Sequence, residues 1–274
     1  MSPDTRTRVF SALILILVLA SCLFLGTQAL FFFLLFAGFL ILDEVHCNFF
    51  KKSRSHYNYF ISQSLFVLPF VFFNLYGGPA FFDMFVNAGV VLNIFLLLYL
   101  FGGKSDSKFL RNLTQQLPYL SAVLVLLPVM SLSHLLQFEN WREFVIVILF
   151  VNFSMDTGAW FFGRKFGKHK LWPAVSPKKT IEGLIGGILT SGFMGTIFWQ
   201  IFFSKITFIL FLSFSLLGLL SQIGDLIQSK LKRQFHIKDS SSLIPGHGGV
   251  YDRVDSLLFL APFYAVMLKY FYLG

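Results

Sequence analysis

Charge is scarce in this sequence. Asp, Glu, Lys and Arg make up 13% of its 274 residues, where a soluble domain carries about a quarter. A soluble globule built around one core is therefore excluded. Cysteine is nearly absent: Cys22 and Cys47 stand in no CxxC pair and no metal-spaced Cys/His cluster. Two scattered cysteines say little about redox compartment, and free thiols are expected. No stretch alternates polar and apolar residues in the manner of a barrel strand, and there is neither an internal repeat nor a disordered tail.

What the chain has in abundance is apolar bulk. Hydrophobic residues reach 56%, Phe alone occurs 38 times, and the mean hydropathy is +0.73. Nine apolar segments stand out, at about 9–25, 29–42, 59–76, 81–101, 117–136, 144–162, 181–203, 206–223 and 257–272. Runs of this length and composition are the mark of transmembrane helices, which satisfy their backbone groups internally. The second is short enough to be tilted or re-entrant, and the eighth is expected to continue as far as Arg233. The fold class expected is all-α, a polytopic membrane protein of about nine helices.

The formal net charge is +9, which on a soluble protein would suggest nucleic acid. Here the basic residues lie between the apolar segments, and nucleic acid is not an expected partner. With the N-terminus inside, all Lys and Arg except Arg142, Lys205 and Lys269 fall in inner loops, as the positive-inside rule requires. Arg6 and Arg8 ahead of the first run, with Leu19-Ala20-Ser21-Cys22 at its end, also resemble a signal peptide with a lipoprotein box. A retained first helix is preferred, because the remaining spans require no exported domain.

Two polar loops, 163–180 and 228–256, are long for so apolar a chain, and such loops tend to be functional. In the second, Asp225 stands near the end of an apolar segment, with Asp252 and Asp255 just before the next. Acids at membrane depth are candidate functional residues. Carboxylates from two helix ends suit a hard cation such as Mg²⁺, which takes one or two carboxylates plus substrate phosphates; an ion pair with a nearby base is the alternative. Gly246, Gly248 and Gly249 around His247 can bring backbone N–H groups close to a phosphate or form a tight turn. His247 can contact phosphate or cap that turn. Lys232, Arg233, Lys238 and Arg253 crowd the same stretch. Topology accounts for part of them, but mixed acids and bases suit a metal–polyphosphate site. In the first loop, Asp156-Thr-Gly158-Ala-Trp160 precedes Ser176-Pro177-Lys178-Lys179-Thr180. Ser176 or Thr180 can cap the seventh helix, and a helix N-terminus beside lysines is a natural anion site.

At this point the residues resemble a known family. Ser229, Lys232-Arg233, Lys238-Asp239, Pro245, His247-Gly248-Gly249 and Asp252-Arg253-Val254-Asp255 are similar to the signature of phosphatidate cytidylyltransferases. Asp156–Trp160 and Ser176–Thr180 look like that family's second motif. Gln228 stands where the family more often has an acid, and Ile181 where an aromatic is usual. The resemblance covers the C-terminal half; the first five spans share only their apolar character. It implies a scaffold at 1–142 and a catalytic region at 143–274.

The reaction so implied is attack of phosphatidic acid on the α-phosphorus of CTP, giving CDP-diacylglycerol and pyrophosphate. The resemblance makes Asp225 and Asp252 metal ligands and catalytic, with Asp156 and Asp255 as further metal candidates. Lys232 and Arg233 would act in catalysis. Ser176, Lys178, Lys179, Thr180, Ser229, Lys238, His247, Gly248, Gly249 and Arg253 would bind substrate. Mg²⁺ is the implied cofactor, and a second cation is left open. CTP, phosphatidic acid and membrane lipids are the implied partners, and a homodimer is left open. A bacterial inner membrane with a cytoplasmic site is the expected location. A CTP-dependent kinase of dolichol-type alcohols is the nearest alternative. A transporter is less suited, because the acids gather at the segment ends and no paired half-helices are visible.

Overall fold

The computed structural model describes residues 3–102 and 109–272, with side chains described for residues 6–102 and 112–272. Lys104 and Lys108, assigned above to an inner loop, lie outside the described residues, as does the side chain of Arg111. In chain order the elements are α1 Pro3–Leu25, α2 Thr27–Glu44, a π-turn Val45–Phe49, α3 Tyr57–Tyr76, α4 Pro79–Gly102 and α5 Phe109–Gln116. Then follow α6 Leu120–His134, a 3₁₀ turn Leu135–Gln137, α7 Trp141–Phe166, β1 Lys170–Trp172, β2 Ser176–Thr180, α8 Ile181–Phe203, α9 Phe208–Gln234 and α10 Tyr251–Phe271. Among the described residues nine helices are long and apolar enough to cross a membrane. The protein is a multi-pass, all-α membrane protein. Cys22 and Cys47 are both free.

Each expected span is present, and the departures are at helix ends. The second is not truncated: α2 widens into the π-turn, and the span runs Thr27–Phe49. The two polar loops are shorter than expected. α7 continues to Phe166, and most of the rest of the first loop folds into a hairpin in which Lys170 pairs with Thr180 and Trp172 with Ser176. α9 runs to Gln234, in line with the continuation expected for the eighth span, and α10 begins earlier than its apolar run, at Tyr251, which leaves 235–250 as the true loop. Apolar windows stop at the first charged residues, whereas Lys, Arg, Gln and Glu are good helix formers and carry the helix onward.

The chain divides into two compact units. The first comprises 1–88, 106–136 and 232–254; the second comprises 89–105, 137–231 and 255–274. In the first, α2 packs on α1, α3 and α6, and α3 packs on α6. Its aromatic core holds the buried Phe66 and Phe70 with the half-buried Phe31, whose rings stack in succession. Gly38 lets the Phe66 ring approach α2 where a Cβ would clash. By contrast α1 leaves Phe10, Leu17 and Phe24 exposed, surface suited to lipid.

In the second unit α7 and α8 lie against each other along most of their lengths. Small residues make this possible. A Cβ on Gly158 would stand 2.6 Å from Thr190 Oγ1, and one on Gly187 would stand 2.7 Å from the Met155 carbonyl. Close backbone approach of this kind is how helices gain dispersion energy in lipid, where no hydrophobic force drives them together. Phe144 stacks on Trp199 and Phe203. A second cluster of Leu100, Val175, Leu226, Ile227 and Phe259 seats the hairpin.

Candidate functional site

In the second unit the hairpin sets Lys179 against α9. Thr180 is the N-cap of α8, its Oγ1 accepting from Gly183 N at 3.2 Å; of the two expected caps, Thr180 is the one used. Gly163 and Gly183 both lie against the Thr180 hydroxyl, so the end of α7 and the start of α8 converge there. One residue earlier on β2, Lys179 Nζ stands 2.5 Å from Asp225 Oδ2. The contact is a close ion pair outside hydrogen-bonding angles, so the buried ammonium keeps its directed donors unspent. One turn along α9, Ser229 Oγ donates to Asp225 Oδ1 at 3.3 Å. Ser176 is half-buried on β2 and Lys178 is exposed.

The neighbours of Asp225 on α9 are unusually buried. Gln228 is 2% exposed, and among the described residues neither its amide nitrogen nor its amide oxygen has a hydrogen-bond partner. Lys230, read from sequence as a loop cation, is instead 1% exposed and donates to the Tyr99 and Leu100 carbonyls at 3.0 and 2.8 Å. It satisfies orphan acceptors at the end of α4, which is why a charge is tolerated there. Asp156 is exposed on α7, and Asp255 accepts from Ser256 N at 2.8 Å.

In the first unit a second acid–base pair forms. Asp252, in the first turn of α10, has a side chain only 4% exposed. Its Oδ1 receives Lys232 Nζ at 3.0 Å, and its Oδ2 receives Ser240 N at 2.7 Å and Gly249 N at 3.0 Å. Three donors thus compensate the burial of one carboxylate. Gly248, with φ +87°, lies so close to Asp252 that a Cβ would stand 2.8 Å from Oδ2. The Arg233 side chain is exposed and forms no hydrogen bond or ion pair among the described residues, while its carbonyl accepts from His236 N at 3.1 Å.

An open basin of about 600 Å³ adjoins this carboxylate. It is lined by Arg8, Lys238, Asp239, Ser241, Ser242, Ile244, Gly246, His247, Gly248 and Arg253. His247 Nδ1 lies 2.7 Å from Ser11 Oγ on α1. Burial first, and then the neighbouring charges of Arg253 and Arg8, hold the imidazole below the ordinary histidine range, against a smaller opposing pull from the Pro245 carbonyl.

Sequence reasoning missed Glu44, the residue that holds this loop in place. It is 2% exposed at the end of α2. Its Oε1 accepts from Ser241 Oγ at 2.7 Å and Val250 N at 2.9 Å; its Oε2 accepts from Ser240 Oγ at 2.9 Å and Tyr251 N at 2.8 Å. Two of these are orphan N–H groups at the start of α10, so the carboxylate also complements the helix dipole. Asn48 Nδ2 adds a bond to the Ser240 carbonyl at 2.5 Å. The available signal was an acid directly after an apolar run, a position that reads as an ordinary loop residue.

Similarity to known proteins follows the same pattern. The Cytidylyltransferase family matches residues 6–271. The chain belongs to that family. Relatives named phosphatidate cytidylyltransferase include one from Bacillus subtilis (strain 168), 40% identical over 147 residues, which are 52% of this chain and 55% of the relative. One from Staphylococcus epidermidis is 44% identical over 132 residues, 47% of this chain and 50% of the relative. One from Staphylococcus haemolyticus is 42% identical over 127 residues, 46% and 49% respectively. The chain spans about half the length of these relatives. None of the three names points to a lipid kinase or a transporter.

The geometry brings together Lys179, Asp225 and Ser229 in one unit, and Lys232, Lys238, His247, Gly248, Gly249, Asp252 and Arg253 in the other. Among the described residues no three His, Cys, Asp or Glu side chains form a group that could hold a metal by themselves. The oxygen donors present still suit Mg²⁺, which normally completes its sphere with water and substrate phosphate.

Proposed function

We propose that this protein is a phosphatidate cytidylyltransferase: the lipid phosphate of phosphatidic acid attacks the α-phosphorus of CTP, and pyrophosphate departs. The observation that carries the reading is Asp252, clasped by Lys232 and by the Ser240 and Gly249 amides. The separate blocks of the sequence signature are there folded onto one another. The names of the relatives support the same reading.

The chemistry asks little of a general base, because the second pKa of a phosphomonoester is about 6 and the nucleophile is already largely ionised. The difficulty is bringing two polyanions together. Catalysis then rests on positioning and charge neutralisation. Lys179, Lys178, Lys232, Lys238, Arg233 and Arg253 would bind phosphate oxygens, with Ser176, Ser229, Thr180, His247 and the backbone at Gly248 and Gly249 orienting them. Asp225 and Asp252, with Asp156 and Asp255 as further candidates, would hold Mg²⁺, which when bound supplies additional charge neutralisation. Lys179 and Lys232, now paired with Asp225 and Asp252, would neutralise substrate phosphate, and the two carboxylates would be the residues that hold the cation. The site is proposed to face the cytoplasm from a bacterial inner membrane, where CTP and a leaflet phospholipid can both reach it.

The test is incubation of purified protein with labelled CTP, Mg²⁺ and phosphatidic acid, with the products identified. CDP-diacylglycerol and pyrophosphate are expected. Formation of CDP without pyrophosphate would point to a lipid kinase and overturn the proposal.

A further inference from the structure

The first helix, to sequence reasoning only a membrane anchor with topogenic arginines, supplies one wall of the basin described above. Arg8 lines it directly. Gly246, at φ +75°, is pressed against the same residue: a Cβ there would stand 2.9 Å from Arg8 Cγ. Both the backbone angle and the approach of α1 call for glycine at this position. One turn along, Ser11 is 8% exposed and reaches His247 Nδ1 at 2.7 Å and the Pro245 carbonyl at 3.1 Å. The Pro245–Gly246–His247 corner is thereby tied to α1 at three successive residues.

The charge around the basin is unbalanced. Among the described residues Arg8, Lys238 and Arg253 face it with one carboxylate, Asp239, and none of the three cations forms an ion pair. Gathering like charges around a cavity costs energy unless an anion occupies it. Ile244 is the one apolar side chain in the lining among the described residues, so the basin does not suit an acyl tail. Its volume lies within the range of about 300–1,000 Å³ typical of small-molecule sites. Three free cations match a polyphosphate better than a single phosphomonoester.

We propose that Arg8 is a substrate-binding residue, and that the basin between α1 and the 238–253 loop receives the anhydride-linked phosphates of the nucleotide, or the pyrophosphate formed from them. The identity of the anion rests on the cytidylyl transfer proposed above; the existence of the anion site does not. Ser11 acts as a positioning residue, fixing the His247 ring at the rim.

The experiment measures pyrophosphate binding to the purified full-length protein by calorimetry, and separately KM for CTP and for phosphatidic acid, in wild type, Arg8→Ala and Arg8→Lys. Arg8 is exposed, so these variants should fold normally. Loss of one charge-assisted contact predicts pyrophosphate binding and CTP KM weakened about 10- to 100-fold in Arg8→Ala. Arg8→Lys should fall between, since it keeps the charge and loses the forked geometry. A purely topogenic role predicts no change in either quantity, and that result would overturn the proposal. A rise confined to the KM for phosphatidic acid would also overturn it, by assigning the basin to the lipid phosphate. Wild type that binds pyrophosphate but never turns over CTP would sink the proposed activity while leaving the anion site standing.

Discussion

Glu44 offers the sharpest test of how the 235–250 loop is held. Its carboxylate is 2% exposed and receives four donors, two of them the backbone N–H groups of Val250 and Tyr251. In Glu44→Ala the Ser240 and Ser241 hydroxyls can rotate toward other acceptors, but the two amides cannot. Each buried donor left unsatisfied costs about 1–3 kcal/mol. Allowing for partial hydration, the loop and the first turn of α10 should lose about 3–5 kcal/mol of local stability. Amide exchange through local opening should then accelerate on the order of 10²–10⁴-fold over the segment 240–252. Glu44→Gln keeps one acceptor oxygen but turns its NH₂ toward a backbone N–H, so an intermediate acceleration of about 10–100-fold is expected. The assay is hydrogen–deuterium exchange with mass spectrometry on protein in detergent or nanodiscs, with α7 and α8 peptides as internal controls. Exchange in 240–252 within about threefold of wild type in Glu44→Ala would refute the reasoning, because four bonds to one buried carboxylate cannot be lost silently. Turnover should fall along with loop order, since Asp252 is held through Ser240 and Gly249 in the same segment.

Further outcomes follow from the site. Asp225→Asn and Asp252→Asn should each abolish CTP turnover while leaving membrane insertion intact, checked by product assay and by membrane fractionation; wild-type activity in either would remove that residue from the metal proposal. Lys179→Ala should raise the apparent KM for one of the two substrates by about tenfold or more, and steady-state kinetics with unchanged KM for both would count against phosphate binding on β2. His247 titrates below the ordinary histidine range in the folded protein, near 6.5 for an unperturbed ring. The fold therefore favours the neutral imidazole: its contribution to stability is complete above about pH 6.5 and is lost as pH falls through the lowered folded value. His247→Gln should flatten the slope of stability against pH in that acidic window, as read by thermal melting at a series of pH values.

Much was legible from the chain alone, for a physical reason. Lipid cannot hydrogen-bond a backbone, so a chain crosses it as helices or as a closed barrel; without barrel-like alternation the apolar runs read as helices, and nine of them map onto the nine candidate spans among the described residues. The signature around Asp252 was equally legible, because its residue types and spacing are local. Helix ends were partly so: the continuation of the eighth span to Arg233 agrees with the end of α9 at Gln234, but the burial of Lys230 within it was not foreseen. What only the tertiary structure decided are contacts between residues far apart in sequence. Glu44 reaches the loop across about 200 positions, and Ser11 reaches His247 across 236. No periodicity or spacing encodes such a pairing, since it depends on which helices pack side by side. The sequence thus determined that the chain is built of membrane-length apolar helices and where its signature residues fall, while the fold decided that Glu44 and Ser11, from the first two helices, hold the loop that carries that signature.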